Sequence, residues 1–391
     1  MSPPAVAPLK SRLSAVAEQL DRQFLGKSEV IRLLLIAIVA REHAVLIGPP
    51  GTAKSALLRT LAELIDARYF EYLLTRFTEP NEIFGPVDIA AFRDGTYRRR
   101  TAGMLPEAEV VFLDEVFKSN SAILNALLGL LNERRYASGG QVLECPLISA
   151  FGASNEIPTD ENLSALFDRF LLRIRSDNLD AYHFGELLSL GIDHEVKKLR
   201  RIRPSPLVSA RELDAMTEEL ARRLEFTSDF LSAYKGVIFQ IRAEGVSVSD
   251  RRVVKMLKLF AASAYLDGRT QADPSDLFVL KHIWNSEDQA PLLEGIVEPI
   301  LEAFHRDHPG RRRVGAVGVG VPALAAEIDR IRQILTGAAP PSDLQLFSQL
   351  KALGELKTAL ATLADPEART LEQRVAELLD AALKSGRFAQ P

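Results

Sequence analysis

Short apolar runs alternate with helical patterns of apolar residues from Ser11 to about Ser176. Continuous apolar runs are typical of strands that are buried on both faces, and their alternation with helices is typical of a three-layer α/β domain. We therefore predict an α/β fold with a parallel five-stranded sheet. The predicted strands are residues 44–47, 69–73, 110–113, 147–153 and 170–174.

Beyond about Asn178 the pattern becomes almost wholly helical, and a glycine-rich stretch at residues 308–322 reads as a linker. Three amphipathic patterns follow the linker and predict a small helical bundle. A role of this bundle in partner recognition stays open. Its apolar stripes are Leu324, Ile328, Ile331 and Leu335, then Leu346, Leu350 and Leu353, then Leu371, Val375, Leu378 and Ala382.

These changes of pattern divide the chain into four parts. We predict a disordered tail at residues 1–9 and the α/β domain at residues 10–177. An all-helical domain follows at residues 178–290, and residues 291–391 form a linker and a C-terminal helical bundle.

Composition narrows the classes of function. With 47% hydrophobic and 26% charged residues, a chain of 391 residues can bury ordinary cores. The single cysteine, Cys145, excludes an internal disulfide and suits a reducing compartment, so we predict a cytoplasmic protein. The longest apolar run, residues 33–40, is too short to span a bilayer. A net charge of −4 argues against general nucleic-acid binding.

The stretch GPPGTAKS stands at residues 48–55, between the apolar run AVLI and a helical pattern. It matches the phosphate-binding pattern G-x-x-x-x-G-K-[ST], except that alanine replaces the second glycine. Lys54 can bridge the terminal phosphates and Ser55 can hold Mg²⁺, while an unusual backbone dihedral at Ala53 would cost about 1 kcal/mol. A glycine-rich turn without a ligand is the alternative. The predicted nucleotide-binding residues are Gly48, Pro49, Pro50, Gly51, Thr52, Ala53, Lys54 and Ser55.

Two carboxylates follow the predicted strand at residues 110–113, in the stretch VVFLDE. The carboxyl end of a buried parallel strand lies at the same sheet edge as the phosphate loop. Asp114 can therefore hold the Mg²⁺ shell, and Glu115 can polarise the attacking water. A helix cap is the alternative reading of such a pair, but its combination with GPPGTAKS predicts nucleotide hydrolysis.

The chain resembles the MoxR family of AAA+ ATPases, and within it the RavA-like branch. The resemblance covers about residues 10–290 and is carried by GPPGTAKS, VVFLDEVFKSNSAILNALLGLLNERRY, FGASNEIP and LFDRFLLRI. It implies an AAA+ domain followed by a helical lid, ATP and Mg²⁺ as ligands, and a homo-oligomer, generally a hexameric ring. It also implies chaperone-like action with von Willebrand factor A-domain partners.

The resemblance assigns roles to three further polar residues. Asn155 matches the sensor-1 position, and Arg169 matches the arginine finger that reaches the neighbouring subunit's γ-phosphate. Arg251 matches sensor 2, with Arg252 as the alternative. A turn for Asn155, a surface pair of Arg169 with Asp168 and an exposed helix charge for Arg251 are the structural alternatives.

Two hairpins and one glycine complete the resemblance. We predict hairpin inserts near residues 85–100, with a two-residue turn at Asp94-Gly95, and near residues 134–146; both are expected to contact a substrate or partner. Ordinary surface hairpins remain the alternative. Gly26 resembles part of the adenine pocket. The β-rich insertion of the best-known members of this branch is missing from the pattern.

Two functions therefore compete. The first is an ATP-hydrolysing motor that remodels partner proteins, and the second is an ATP-controlled scaffold with slow or incidental hydrolysis. Glu115, Asn155 and Arg169 favour the motor, because a scaffold needs only the phosphate loop and a metal ligand. A DNA-acting AAA+ protein is a third reading, which the acidic balance weakens.

Overall fold

The computed structural model describes residues 8–138, 141–158, 161–179, 184–200, 203–308, 321–335 and 366–385, with further helical residues between 346 and 360. The chain divides into two compact units, and each is described by itself. The first unit comprises residues 1–178 and 203–312, and the second comprises residues 179–202 and 313–391. The predicted tail and linker fall largely outside the described residues.

A five-stranded parallel sheet forms the centre of the first unit, as predicted. Its strands are β1 (His43–Ile47), β2 (Tyr69–Leu73), β3 (Val110–Asp114), β6 (Ser149–Ser154) and β7 (Phe170–Arg175). They lie in the order β2-β3-β6-β1-β7, and every neighbouring pair is parallel. All residues of β1 and β6 are buried, because helices cover both faces of the sheet. The carboxyl ends of β1, β3 and β6 consequently meet at one edge.

Seven helices accompany this sheet in the described part of the first unit up to β7. They are α1 (Leu9–Asp21), α2 (Ser28–Ala40), α3 (Lys54–Leu64), α4 (Pro80–Phe84), α5 (Ile89–Arg93), α6 (Ser121–Glu133) and α7 (Glu161–Phe167). Ten of the thirteen residues of α2 are buried, so this helix lies inside the unit. Helix α3 begins directly after the GPPGTA stretch, which places its N-terminus at the sheet edge described above.

The insert between β2 and β3 corrects one prediction. The two-residue hairpin predicted at Asp94-Gly95 is wrong, because residues 89–93 form helix α5. The Asp88 side chain accepts hydrogen bonds from the amides of Ala90 and Ala91, and this cap starts the helix. Antiparallel pairing is confined to the bridge between Val87 and Arg99. A short helix capped by Asp88 therefore stands where a tight hairpin turn was predicted.

The second predicted hairpin is present as strands β4 (Arg135–Ser138) and β5 (Gln141–Glu144), which pair in antiparallel register. It follows α6 directly and precedes β6. Val142 is 62% exposed, so the hairpin presents an apolar side chain to solvent.

The remainder of the first unit is helical. It contains α9 (Ala210–Arg222), α10 (Ser228–Ala243), α11 (Asp250–Leu266), a 3-10 segment (Pro274–His282) and α12 (Gln289–Asp307). Helix α11 has an apolar face, on which Met256, Phe260 and Ala264 are fully buried. Phe260 packs edge to face against Phe230 and Tyr234 of α10, which joins these two helices.

The second unit is helical where it is described. It includes α8 (Phe184–Leu199), α13 (Val321–Leu335) and α14 (Pro366–Ser385). Leu324, Ile328 and Ile331 of α13 share a buried cluster with Leu353, Leu356 and Leu360 and with Leu371 and Val375 of α14. The C-terminal region is therefore helical, as predicted. Among the described residues, no helix has both the length and the apolar character that crossing a bilayer requires.

A buried histidine in β1 makes the stability of the first unit dependent on pH. The amide of Ala150 donates to His43 Nδ1 over 3.0 Å, and His43 Nε2 contacts the carbonyl of Leu131 at 2.9 Å. Nδ1 is therefore an acceptor and the ring is neutral. Burial lowers the pKa of His43 from 6.5 to about 4, with Glu42 opposing the change.

We expect the free energy of unfolding to decrease as the pH falls from about 6.5 to about 4. Over this range the unfolded chain binds a proton at residue 43 and the folded chain does not, which corresponds to about 3 kcal/mol. Unfolding midpoints measured across this range should decline less steeply in a His43→Gln variant than in the wild type. Equal slopes would show that His43 does not determine the acid sensitivity.

Candidate phosphate-binding and hydrolysis site

The loop between β1 and α3 packs closely against the residues at the ends of β6 and β7. The amide of Gly48 donates to the carbonyl of Ser154 over 3.1 Å. A Cβ atom at Gly48 would lie 2.3 Å from the carbonyl oxygen of Ser176, so no side chain fits there. Gly51 has a φ of +84°, which favours glycine. The backbone therefore requires glycine at residue 48 and favours glycine at residue 51.

Ala53 adopts the left-handed conformation, with φ 61° and ψ 22°, and immediately precedes α3. This is the position at which the phosphate-loop pattern has its second glycine. A left-handed alanine costs about 1 kcal/mol, which the surrounding structure sustains. Replacement of glycine by alanine therefore leaves the loop conformation in place.

The side chain of Lys54 folds back onto the first residues of this loop. Its Nζ donates to the carbonyls of Gly48 and Pro49, each over 2.8 Å, and the side chain is buried. Burial lowers the pKa of Lys54, while the charges of Asp114 and Glu115 oppose that change. The lysine and the two carboxylates are therefore close enough to influence one another, as the sequence predicted for a single site.

The carboxylates stand at the end of β3. Glu115 has a left-handed backbone, with φ 51°, and its amide donates to Asp114 Oδ1 over 3.0 Å. Asn155 Nδ2 donates to Glu115 Oε1 over 2.9 Å, and Lys118 Nζ lies 3.2 Å from Glu115 Oε2. Asn155 follows β6, the neighbour of β3. The structure therefore brings the predicted base and the predicted sensor amide into direct contact.

Lys27 is a functional candidate that the sequence analysis missed. Its Nζ donates to Ser176 Oγ over 3.2 Å and to the carbonyl of Asp177 over 2.7 Å. Ser176 Oγ in turn donates to Thr52 Oγ1 of the loop over 3.3 Å. Burial lowers the pKa of Lys27; Asp177 opposes this and the charge of Lys54 adds to it. The sequence signal was its position directly after Gly26.

Gly26 itself has a φ of +66° and precedes α2. Through Lys27, this turn is joined to Ser176, at the end of β7, and so to the loop. The predicted contribution of Gly26 to an adenine pocket is compatible with this place and stays a prediction.

Arg169 and Arg251 form a second cluster. Arg169 Nη1 lies 3.6 Å from Asp168 Oδ2, and Arg251 Nη2 donates to Asn132 Oδ1 over 2.9 Å. The pKa of Arg169 is lowered by burial and then by the charge of Arg251, so the two arginines are close. In the described part of the chain, no hydrogen bond or ion pair joins either of them to Lys54, Asp114 or Glu115.

Arg252, the alternative to Arg251, is 3% exposed. Its guanidinium donates to Asn285 Oδ1 over 2.9 Å and to the carbonyl of Ile283 over 2.8 Å. Arg251 is exposed by contrast. Only Arg251 is therefore available to a ligand from outside the chain.

The site has the groups that an ATP–Mg²⁺ complex requires. The loop offers open backbone amides and a lysine at a helix N-terminus, which attract phosphate. Ser55, in the first turn of α3, and Asp114 supply a hydroxyl and a carboxylate, ligands that Mg²⁺ prefers. The residues present therefore fit this ligand.

Comparisons with known proteins show what this chain is similar to. A family model described as the MoxR domain in the MoxR-vWA-beta-propeller ternary systems matches residues 11–218, and an AAA lid domain model matches residues 231–297. An uncharacterized protein of Methanocaldococcus jannaschii is 36% identical over 95% of this chain and 96% of that protein.

One named relative and one solved structure extend these matches. Protein MoxR of Paracoccus denitrificans is 31% identical over 39% of this chain and 46% of its own length. The crystal structure of a candidate ATPase from Cytophaga hutchinsonii is similar in fold, with a TM-score of 0.60 and 18% identity. It covers 75% of this chain and 94% of that chain.

Proposed function

This chain belongs to the MoxR family of AAA+ ATPases, and we propose that it hydrolyses ATP in a ring assembly in order to remodel or activate partner proteins. A hexameric ring, a cytoplasmic location and membership of the RavA-like branch are parts of this proposal. The alternative remains a scaffold that uses bound ATP to order an assembly.

The hydrogen bond between Asn155 and Glu115 carries the proposal. A protein that only binds ATP needs the loop, Lys54 and a metal ligand, but it has no use for a second carboxylate that is oriented by an amide. Glu115 stands directly beside Asp114, so one carboxylate can act as a base while the other serves the metal. This division of roles supports hydrolysis.

The residues of the chain divide the chemical work as follows. Lys54 exchanges the loop carbonyls for phosphate oxygens, and the loop amides hold the phosphate chain. Ser55 and Asp114 would hold Mg²⁺, which neutralises charge on the terminal phosphates. Glu115 takes up the proton of the attacking water, and Asn155 keeps that carboxylate in position.

Arg169 is proposed to serve the nucleotide of a neighbouring subunit, and Arg251 is proposed to act as sensor 2 on the lid. They contact Asp168 and Asn132 of their own chain, and no hydrogen bond or ion pair among the described residues joins them to Lys54. A cation supplied across an interface would make hydrolysis depend on assembly. The proposed role of Arg169 therefore requires the proposed ring, in which each Arg169 would lie at an interface between subunits.

The two inserts are proposed to contact the partner. The first insert and the segment before it expose Phe77, Ile89 and Phe92 to 83%, 66% and 61%, and the second exposes Val142. Exposed apolar side chains in close succession are typical of interaction sites. Because the matching family model is named for systems that contain a vWA component, we propose a von Willebrand factor A-domain protein as partner, and no nucleic acid.

Lys54→Ala tests the proposed function. We expect wild-type protein to bind ATP and to release phosphate, and the variant to bind ATP at least about 100-fold more weakly, since two or more charge-assisted hydrogen bonds to phosphate are lost. Calorimetry and a phosphate-release assay measure these effects, with Lys235→Ala as the control because Lys235 is exposed on α10. Unchanged ATP affinity would exclude the loop as the site. Wild-type binding without phosphate release at concentrations where the protein assembles would favour the scaffold.

A further inference from the structure

Two buried arginines from different elements converge on one carbonyl group. Arg173, in β7, and Arg252, in α11, both donate to the carbonyl of Ile283, over 3.5 Å and 2.8 Å. Arg173 is 0% exposed and Arg252 is 3% exposed. Ile283 lies inside residues 231–297, which match the AAA lid domain and are called the lid here. Arg173 of the sheet is thus hydrogen-bonded to the lid, to which Arg252 itself belongs.

The same two arginines also reach the segment that carries Arg169. Arg173 Nη2 donates to the carbonyl of Phe167 over 3.2 Å, and its guanidinium lies 4.6 Å from the centre of the Phe167 ring. Arg252 Nε lies 3.8 Å from Asp168 Oδ1, while Asp168 Oδ2 is 3.6 Å from Arg169 Nη1. Asp168 therefore stands between a buried lid arginine and the candidate finger, whose side chain is 22% exposed.

Two buried guanidinium groups are an energetically unfavourable way to fill the core of a protein. Burial of a guanidinium carries a large desolvation penalty, and apolar residues in place of buried ion pairs often leave stability unchanged or increased. Arg173 is compensated by carbonyl groups and an aromatic ring, since no carboxylate pairs with it in the part of the chain that the structure describes. What the arginines do provide is directional hydrogen bonding between three separate segments.

We propose that Arg173 and Arg252 are positioning residues that fix the segment Phe167-Asp168-Arg169 to the lid, so that the lid of one subunit determines whether its Arg169 reaches the neighbour's nucleotide. The inference rests on the proposed function, because it requires Arg169 to act across an interface. Its physical content is a coupling between ATP in one subunit, which changes the position of that subunit's lid, and hydrolysis in the next.

Asp168→Asn is the first test. The substitution keeps the shape of the side chain and removes its charge, and the Asp168 side chain is 39% exposed, so folding should be preserved. We expect unchanged ATP affinity and a kcat reduced by about 10- to 100-fold, as a misplaced catalytic group produces. Asp267→Asn is the matched control, because Asp267 pairs with Arg32 and Arg269 just beyond the other end of α11. The control should keep kcat within about twofold, since neither of its two ion pairs involves Asp168 or Arg169.

Arg252→Lys is the second test, because Arg252 reaches Arg169 only through Asp168 in the described contacts. The shorter fork-free side chain cannot keep all three of its contacts, so kcat should fall as in Asp168→Asn. The two substitutions combined should reduce kcat no further than the stronger of them. If Arg252→Lys does not fold, as judged by its thermal transition, Asp168→Asn carries the test.

Mixed assemblies separate positioning of the finger from damage to the subunit's own site. Asp168→Asn subunits mixed with Glu115→Gln subunits should recover activity, because the latter supply an ordered Arg169 to an intact Glu115. Mixing them with Arg169→Ala subunits should recover none. The reference is the mixture of Arg169→Ala with Glu115→Gln, which tests the interface itself.

Each outcome decides something. If the reference mixture recovers activity and the Asp168→Asn mixture with Glu115→Gln does not, the arginines have no positioning role and the proposed function stands. A reference mixture without recovery, despite co-assembly, overturns both. Loss of activity in Asp267→Asn equal to that in Asp168→Asn would assign the effect to general loosening of the lid and overturn the positioning role.

Discussion

Glu115→Gln is expected to bind ATP and Mg²⁺ with wild-type affinity and to hydrolyse ATP at least about 1,000-fold more slowly, because an amide cannot take up the proton of the attacking water. The geometry should persist, since the Oε1 atom of glutamine can still accept the hydrogen bond from Asn155. Asp114 and Ser55 are unaffected, so the metal ligands remain. Calorimetry and steady-state phosphate release measure the two effects separately.

Glu156→Gln is the matched control for this variant. Glu156 follows Asn155 in the chain and is exposed, so the substitution removes a negative charge close to the site without touching Glu115. Its hydrolysis should equal that of the wild type. If Glu115→Gln also hydrolyses ATP at the wild-type rate, Glu115 is not the base, and the scaffold reading becomes the stronger one.

Arg169→Ala is expected to leave ATP binding unchanged and to depress hydrolysis by about 10³- to 10⁵-fold, as loss of an arginine finger does in related chemistry. Under the proposed function, the charge that is removed would stabilise the transition state in the neighbouring subunit, so ATP affinity should be unchanged while the hydrolysis rate falls. Arg222→Ala controls for the loss of one positive charge, since Arg222 is exposed on α9.

The sharper form of this experiment mixes Arg169→Ala with Glu115→Gln subunits. An interface that joins an intact Arg169 to an intact Glu115 can then form, so partial activity should return although each variant alone is inactive. If the variants assemble together and every ratio stays inactive, the arrangement across an interface loses its support. Arg169 would then be a structural partner of Asp168; its Nη1 atom lies 3.6 Å from Asp168 Oδ2.

Local sequence was sufficient wherever a feature depends on neighbours in the chain. Four of the five strands are largely buried, and all five are short, mostly apolar runs between helical patterns. GPPGTAKS and VVFLDE stand at the ends of two of them. Because parallel strands align their carboxyl ends, these patterns alone indicated that Lys54, Asp114 and Glu115 would meet. The contact of Asn155 with Glu115 follows from the same rule, since β6 lies beside β3.

The first insert shows where local rules compete. Asp94-Gly95 is a strong hairpin signal, but Asp88 caps a helix at residues 89–93 and also accepts a hydrogen bond from Arg98 over 3.0 Å. The cap joins Asp88 to residues two and three positions on, and the ion pair joins it to a residue ten positions on; a two-residue turn pattern takes neither into account. Gly95, with a φ of +76°, ends the helix instead of forming the turn.

By itself, the sequence determined the fold class and the centre of the candidate site, because periodicity and strand ends are local properties. Only the tertiary structure decided which of Arg251 and Arg252 is exposed, that Lys27 reaches Ser176, and that Arg173 joins Phe167 to Ile283. The burial of a charged side chain and its partners depend on segments that are distant in the sequence; Arg173 and Ile283, for example, are 110 residues apart. No local pattern in the sequence predicts this contact, because it forms only when the sheet and the lid pack together.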